Sequence, residues 1–306
     1  MTIEGFEPRF GVSPAYFISR FSDTFTPSQV AMSLVELREM GYRAVQLEVF
    51  HRETLEDWER GGAELVASAL SSSGLAVSQF VAHFLLHGFE SPAAIGSAAD
   101  EIHRVLDIID HFPDCRVVTL PLGEFRFDED LSCLDFDDLY ARYVDKLAAV
   151  IQAIERKGLR CAIELLPGAF INGTDGLARL FDALPSKAVG YNFDTGHAHA
   201  SRENVGLIPF KLKGRVLGTH LCDNDRRDNL SLRPGAGSIQ WKQVFEALHL
   251  TGYTGGFDIE IRCSEDLVEQ EYRGALELLR EIAIGGQLGS TSSDQDKHSS
   301  SKEYSR

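Results

Sequence analysis

The chain has 306 residues, 43% of them apolar, with a formal net charge of −16 and five cysteines. That length suits two small domains or one large one, the apolar share is enough for a core, and no stretch of about 18 uninterrupted apolar residues is present to span a bilayer. The negative charge argues against a general affinity for nucleic acid, whose phosphates it would repel, and leaves small molecules and metal cations as the easier partners.

At the N-terminus, "MTIEGFEPRF" lacks a basic segment followed by an apolar one, so no secretory signal is read and a soluble, cytoplasmic protein is expected. Cys115, Cys133, Cys161, Cys222 and Cys263 form no C-x-x-C pair and are read as reduced thiols.

Apolar runs predict eight strands, at 9–14, 43–50, 75–83, 116–123, 160–167, 188–194, 215–223 and 256–261. Segments with helical spacing separate them. "TPSQVAMSLVELREMG" has Pro27 near its start and Gly41 at its end, and "FDDLYARYVDKLAAVIQAIERKG" is closed by Gly158. Repeated strand–helix alternation implies a parallel sheet, and eight units in this length favour a single-domain α/β fold, a closed (β/α)8 (TIM) barrel over residues 1–284. An open doubly wound sheet would show a glycine-rich phosphate turn after its first strand, and "RFGVSPAYF" offers none. From Gly285 to Arg306 the chain turns polar and Ser-rich, and a disordered tail is expected.

In such a barrel, catalytic groups gather at the C-terminal ends of the strands. Strand five carries Glu164 near its end, strand six Asp194, strand seven His220 and strand eight Glu260. With period-two alternation, the residues sharing their face are Ala162, Asn192, Gly218 and Asp258, all small or polar, while Ile163, Phe193 and Ile259 face the helices. Three carboxylates and an imidazole converging on one rim repel unless a cation joins them. Oxygen-rich ligation with one nitrogen suits Mn²⁺ best, then Mg²⁺ or Co²⁺, better than a thiolate-rich structural zinc site.

Blander readings apply elsewhere. A lone Glu in a strand is more often a satisfied polar group, and Glu48 on strand two reads equally as pocket lining or structural pairing. His83 and His87 fall at and after the end of strand three, as substrate contacts or packed loop residues; His51, His103, His111, His249 and His298 are assigned no role. Arg226, Arg227 and Arg233, interleaved with Asp223, Asp225 and Asp228, read as a self-paired surface loop or as an anion clamp. "PGAGS" does not match a P-loop and is read as a turn shaping the rim.

Five motifs, "AIELLPG", "NFDTGHA", "GTHLCDNDR", "RPGAGSIQW" and "FDIEI", resemble in order and spacing the metal-site strands of the xylose-isomerase-like superfamily, specifically its sugar isomerases and ketose 3-epimerases. The resemblance covers nearly the whole barrel, loosely over the first four strands, and not the tail. It implies that Glu164, Asp194, His220 and Glu260 are the ligands of a divalent metal, with Zn²⁺ also admissible, and that Glu164 and Glu260 double as the acid/base pair. It implies that His197 and Arg226 hold substrate hydroxyls and leaves His199 structural; His83 is taken as a further substrate contact from its place at the end of strand three. The implied activity is isomerisation or epimerisation of a ketose or related keto-sugar through an enediolate, by a homo-oligomer with a small-molecule sugar as its partner.

Two rivals share the scaffold. Dehydration of a keto-inositol or another keto-sugar uses the same ligands and differs in that the enediolate expels a β-hydroxyl. An abasic-site endonuclease needs further histidines in the loop after strand seven, where "RRDNLSLRPGAGS" has none.

Overall fold

Eight parallel strands close into a ring in chain order: β1 (Arg9–Val12), β2 (Ala44–Val49), β3 (Ala76–Ala82), β4 (Val117–Leu122), β5 (Arg160–Leu165), β6 (Val189–Asp194), β7 (Val216–Leu221) and β8 (Gly256–Ile259). β1 pairs with β2 on one side and β8 on the other, which completes the barrel. The computed structural model describes residues 7–97, 100–127 and 134–284. Each strand lies within the range predicted from the sequence, and the (β/α)8 expectation is met. The expected tail over 285–306 and Cys133 lie outside the described residues. Cys115, Cys161, Cys222 and Cys263 are free thiols.

Local chemistry sets the helix ends. Helix Pro27–Met40 starts at Thr26, whose hydroxyl accepts from the Gln29 N–H while the Gln29 side chain accepts from the Thr26 N–H. It stops at Gly41, whose φ of 102° is cheap only for glycine. Helix Phe136–Arg156 starts at Asp135, whose carboxylate accepts from the N–H groups of Asp137 and Asp138. Among the described residues no helix is long and apolar enough to cross a membrane.

β2, β4 and β6 are buried at every position, as strands with helices outside and a filled barrel inside must be. Outward-facing Ile163, Phe193 and Ile259 are fully buried, each such burial contributing about 1.5–3 kcal/mol. Inside, β1 and β7 leave room for polar side chains. A Cβ on Gly218 would lie 2.2 Å from the Gln79 amide, and one on Gly11 would lie 2.0 Å from Asp258 Oδ1.

Those side chains form a middle layer that satisfies itself. Thr119 Oγ1 donates to Gln79 Oε1 (2.6 Å), and Gln79 Nε2 donates to Asn192 Oδ1 (3.0 Å). Across the ring, Gln46 Nε2 (2.9 Å) and Ser78 Oγ (3.0 Å) both donate to Asp258. Burial nevertheless pushes the Asp258 carboxyl up to about 6. The layer is the floor on which the upper rim stands.

Candidate metal centre and substrate cavity

Glu164, Asp194, His220 and Glu260 meet at the C-terminal rim. Asp194 is the last residue of β6 and also caps the short helix Thr195–Ala200, its Oδ1 accepting from the His197 N–H at 2.7 Å. That cap fixes the carboxylate so that Oδ2 points inward. The helical turn also brings His197 back over Asp194: its Nδ1 lies 3.4 Å from Asp194 Oδ2 and 3.4 Å from Glu164 Oε1.

His220 enters from β7. Its Nδ1 is 2.8 Å from Glu260 Oε2, 3.1 Å from Glu164 Oε1 and 3.7 Å from Asp194 Oδ2. Its Nε2 lies 2.8 Å from Gln46 Oε1. Because the Gln46 amide donates to Asp258, its oxygen is turned to His220, so Nε2 keeps a proton and Nδ1 is the ring nitrogen turned to the carboxylates, where a cation would take the place of its proton.

Electrostatics agree with the geometry. Burial opposes a charged His220 ring, but Glu164 and Glu260 overcome that cost and hold its pKa well above the ordinary imidazole range. Burial likewise opposes the Asp194 charge, and His197 and His220 outweigh it, so the Asp194 pKa is lowered. Asp194 Oδ2 and His197 Nδ1 are buried without a hydrogen-bond partner. Buried polar atoms are normally paired, and here the two orphans face one another among carboxylates. Glu164, Asp194 and His197 each offer one donor atom within 4.8 Å of the others, a group that can hold a metal ion, and Asp194, Cys222 and Glu260 form a second such group. Burial pushes the Cys222 thiol well up, so it is held as S–H, donating to Asp194 Oδ1 at 3.5 Å. The donor set therefore fits a cation that prefers oxygen and imidazole to thiolate.

Above the cluster lies a cavity of about 290 Å³. Its walls include Glu164, His197, His220 and Glu260 on one side and Glu48, Phe50 and His83 on the other. His83 stacks on Phe50 with ring centroids 4.1 Å apart, and its Nδ1 is 3.4 Å from Glu48 Oε1. A larger cavity of about 470 Å³ opens at the strands' N-terminal ends among Arg9, Arg116 and Arg160, away from the carboxylate cluster.

The substrate contact implied for Arg226 is not found at the cavity, whereas His199 stays out of the centre as expected. Arg226 does not line the upper cavity; its Nη2 donates to the Arg202 carbonyl at 3.2 Å. Arg227 is paired within the loop with Asp225 at 2.9 Å, and Arg233 reaches Glu271 of the helix Val268–Ala283 at 3.7 Å. His87 is exposed beside Glu90, and His199 leaves the centre to meet Ser238 Oγ at 2.9 Å. The glycine-rich turn is organised by buried Asp223, which accepts from the N–H groups of Gly235 and Ile239 and from the Trp241 indole. Sequence reading missed Gln46, Phe50 and Arg262. Gln46 shares the parity of Glu48 on β2, which is the signal that could have found it.

Residues 34–282 match the model of the family described as Xylose isomerase-like TIM barrel. The chain belongs to that family. It is 29% identical over 134 residues to an inosose dehydratase of Geobacillus thermodenitrificans, covering 38% of this chain and 45% of that protein. The chain spans about half the length of the curated relatives it matches. Among solved structures, 3-keto-D-glucoside 4-epimerase from E. coli shares 20% identity, with a TM-score of 0.68 over 90% of this chain and 99% of that one. The IOLI protein with a bound zinc atom shares 13% identity, with a TM-score of 0.67 over 90% and 96%. At these identities the two structures show the xylose isomerase-like fold alone.

Proposed function

We propose that this xylose isomerase-like barrel is a divalent-metal-dependent isomerase or epimerase of a ketose or related keto-sugar, working through an enediolate. The observation that carries the reading is His220 Nδ1 facing Glu164, Asp194 and Glu260 at the floor of a sugar-sized cavity. Those four residues would hold the metal, with His197 Nδ1 as a fifth donor or a contact to a substrate hydroxyl. Mn²⁺ is the first choice for such an oxygen-rich set, and the zinc in a structural neighbour makes Zn²⁺ the cation to compare with it. The metal supplies Lewis acidity, polarising a carbonyl and easing the charge that enolisation creates.

The chain's own groups do the rest. Glu164 on β5 and Glu260 just beyond β8 reach the cavity from strands well separated round the ring. One takes the proton α to the carbonyl and the other returns it, inverting the centre; return to the neighbouring carbon isomerises the sugar. His83, His197 and the Phe50 wall orient the substrate and exclude water.

The test is proton NMR in D₂O of Mn²⁺-loaded protein with free ketoses, keto-inositols and ketose phosphates, read after metal removal. Exchange of the α proton on one substrate class is expected. No exchange on any member, with metal binding confirmed, would refute enolisation. Dehydration is the second reading, favoured by the likeness to inosose dehydratase.

A further inference from the structure

Glu48 is the buried ionisable group that enolisation leaves without a task. It is 4% exposed, lines the cavity from β2 and takes part in neither group able to hold a metal. In the eight-stranded ring β2 stands across from β6, so Glu48 faces the metal-side carboxylates over the substrate space. Its Oε1 is 3.4 Å from His83 Nδ1, and its Oε2 is buried with no hydrogen-bond partner. A purely structural ion pair would be expected to satisfy both oxygens, since an orphaned buried oxygen costs about 1–3 kcal/mol. An Oε2 that lacks a protein partner beside the cavity fits one whose partner is the substrate.

Epimerisation and isomerisation each need two proton-transfer events, and Glu164 and Glu260 suffice for them. Expulsion of a hydroxyl adds a third, because hydroxide is a poor leaving group until its oxygen is protonated.

We infer that, in the dehydration reading, the Glu48–His83 pair is the general acid that protonates the departing hydroxyl. This rests on the enolisation step proposed above and follows the second fate of its enediolate, loss of water in place of reprotonation. Glu164 or Glu260 removes the α proton, leaving the electron pair in the enediolate. The carbonyl then re-forms, a double bond forms between the α and β carbons, and the β carbon–oxygen bond breaks with its electrons going to oxygen. That oxygen takes the proton of the Glu48–His83 pair and leaves as water. The resulting enol tautomerises to an α-diketone, and solvent restores one proton to the pair and removes one from the metal-side carboxylate.

The pair is built to keep such a proton. Burial pushes the Glu48 carboxyl up, against the pull of His83. Burial opposes the charged His83 ring, and Glu48, then Glu164 and Glu260, more than offset it and raise its pKa.

The experiment compares wild type, Glu48→Gln and His83→Ala, all loaded with Mn²⁺, on the keto-polyol panel. Deuterium uptake at the α carbon and water release are read on the same samples, the latter by mass and by trapping the diketone with o-phenylenediamine. Wild type is expected to exchange and to release water, and Glu48→Gln to lower the ratio of water release to exchange about 100-fold or more. His83→Ala is expected to lower it less. A separate readout is the His83 ring titration by NMR, which is expected to move to lower pH in Glu48→Gln while Mn²⁺ affinity, which checks folding, holds. Exchange without water release by wild type on every substrate would overturn the inference and leave the epimerase reading standing. So would an unchanged ratio, or an unmoved His83 titration, in Glu48→Gln. Absence of exchange in wild type would instead sink the enolisation reading and this inference together.

Discussion

The barrel interior holds two polar layers that obey different rules. In the middle layer Gln79, Thr119 and Asn192 are tied to one another, and Gln46 and Ser78 both serve Asp258. In the upper layer Asp194 Oδ2, His197 Nδ1 and Glu48 Oε2 are buried with no partner, and like charges crowd together. Folding alone explains the first layer, because each buried polar group there recovers in the protein what it loses in water. It does not explain the second, which becomes reasonable only with a cation and a substrate in place. One residue joins them: Gln46 holds His220 Nε2 with its oxygen and Asp258 with its nitrogen.

The sharpest way to break this contrast is to substitute the upper layer and look for lost chemistry without lost stability. Glu164→Gln and Glu260→Gln are each expected to lower α-proton exchange by about 100- to 10,000-fold, the usual worth of a positioned acid or base. The thermal midpoint of metal-free protein is expected not to fall at a pH where His220 is neutral, because each variant there removes a crowded negative charge. Full activity in both variants would refute the assignment. Gln46→Leu addresses the link between layers. Without the acceptor that fixes its ring, His220 can place a proton on Nδ1, and Mn²⁺ affinity by titration calorimetry is expected to fall about 10- to 100-fold.

Legibility in the sequence follows the same division. Strands β1–β8 were readable because a buried parallel strand is a short apolar run, and the period-two partners of Glu164, Asp194, His220 and Glu260 were readable as small or polar. The gathering of these four residues needed only the rule that active groups sit at the C-terminal rim. What escaped were contacts set by local turns and by distance. His197 was reached through the family resemblance and not through spacing, because it turns inward on a helix capped by Asp194, a three-residue geometry with no periodic signature. Arg226 turns outward to the Arg202 carbonyl from an irregular loop, where no spacing rule applies. The Glu48–His83 pair depends on strand register, which the sequence does not show: Val49↔Ala82 on β2 and β3, continued by one residue, places Phe50 beside His83, which is the observed stack.

The middle layer offers the converse substitution. Thr119→Val keeps the shape of the side chain but leaves Gln79 Oε1 without its donor, at an expected cost of about 1–3 kcal/mol in denaturant unfolding, with metal affinity near wild type. A large loss of affinity would show that the layers are not separable.

The smallest expected effect is a pH dependence that only the upper layer should produce. In the metal-free protein, the folded-state pKa of His220 stands well above its unfolded value because Glu164 and Glu260 outweigh burial. A raised pKa means that the folded state binds the proton more tightly than the unfolded chain. The stabilisation is therefore fully present below an ordinary imidazole pKa of about 6.5 and is lost as pH rises from there through the elevated folded value. Thermal melts of metal-free protein are expected to lose a few degrees across that window, given about 2–4 °C per kcal/mol for chains of roughly this size. A divalent cation takes the proton's place among the same carboxylates and needs a deprotonated Nδ1, so saturating Mn²⁺ should remove the loss and release protons on binding. If the metal-free protein keeps its melting temperature through the window, His220 is not charged by its carboxylates, and the upper layer is balanced by something other than the proton that a metal would displace.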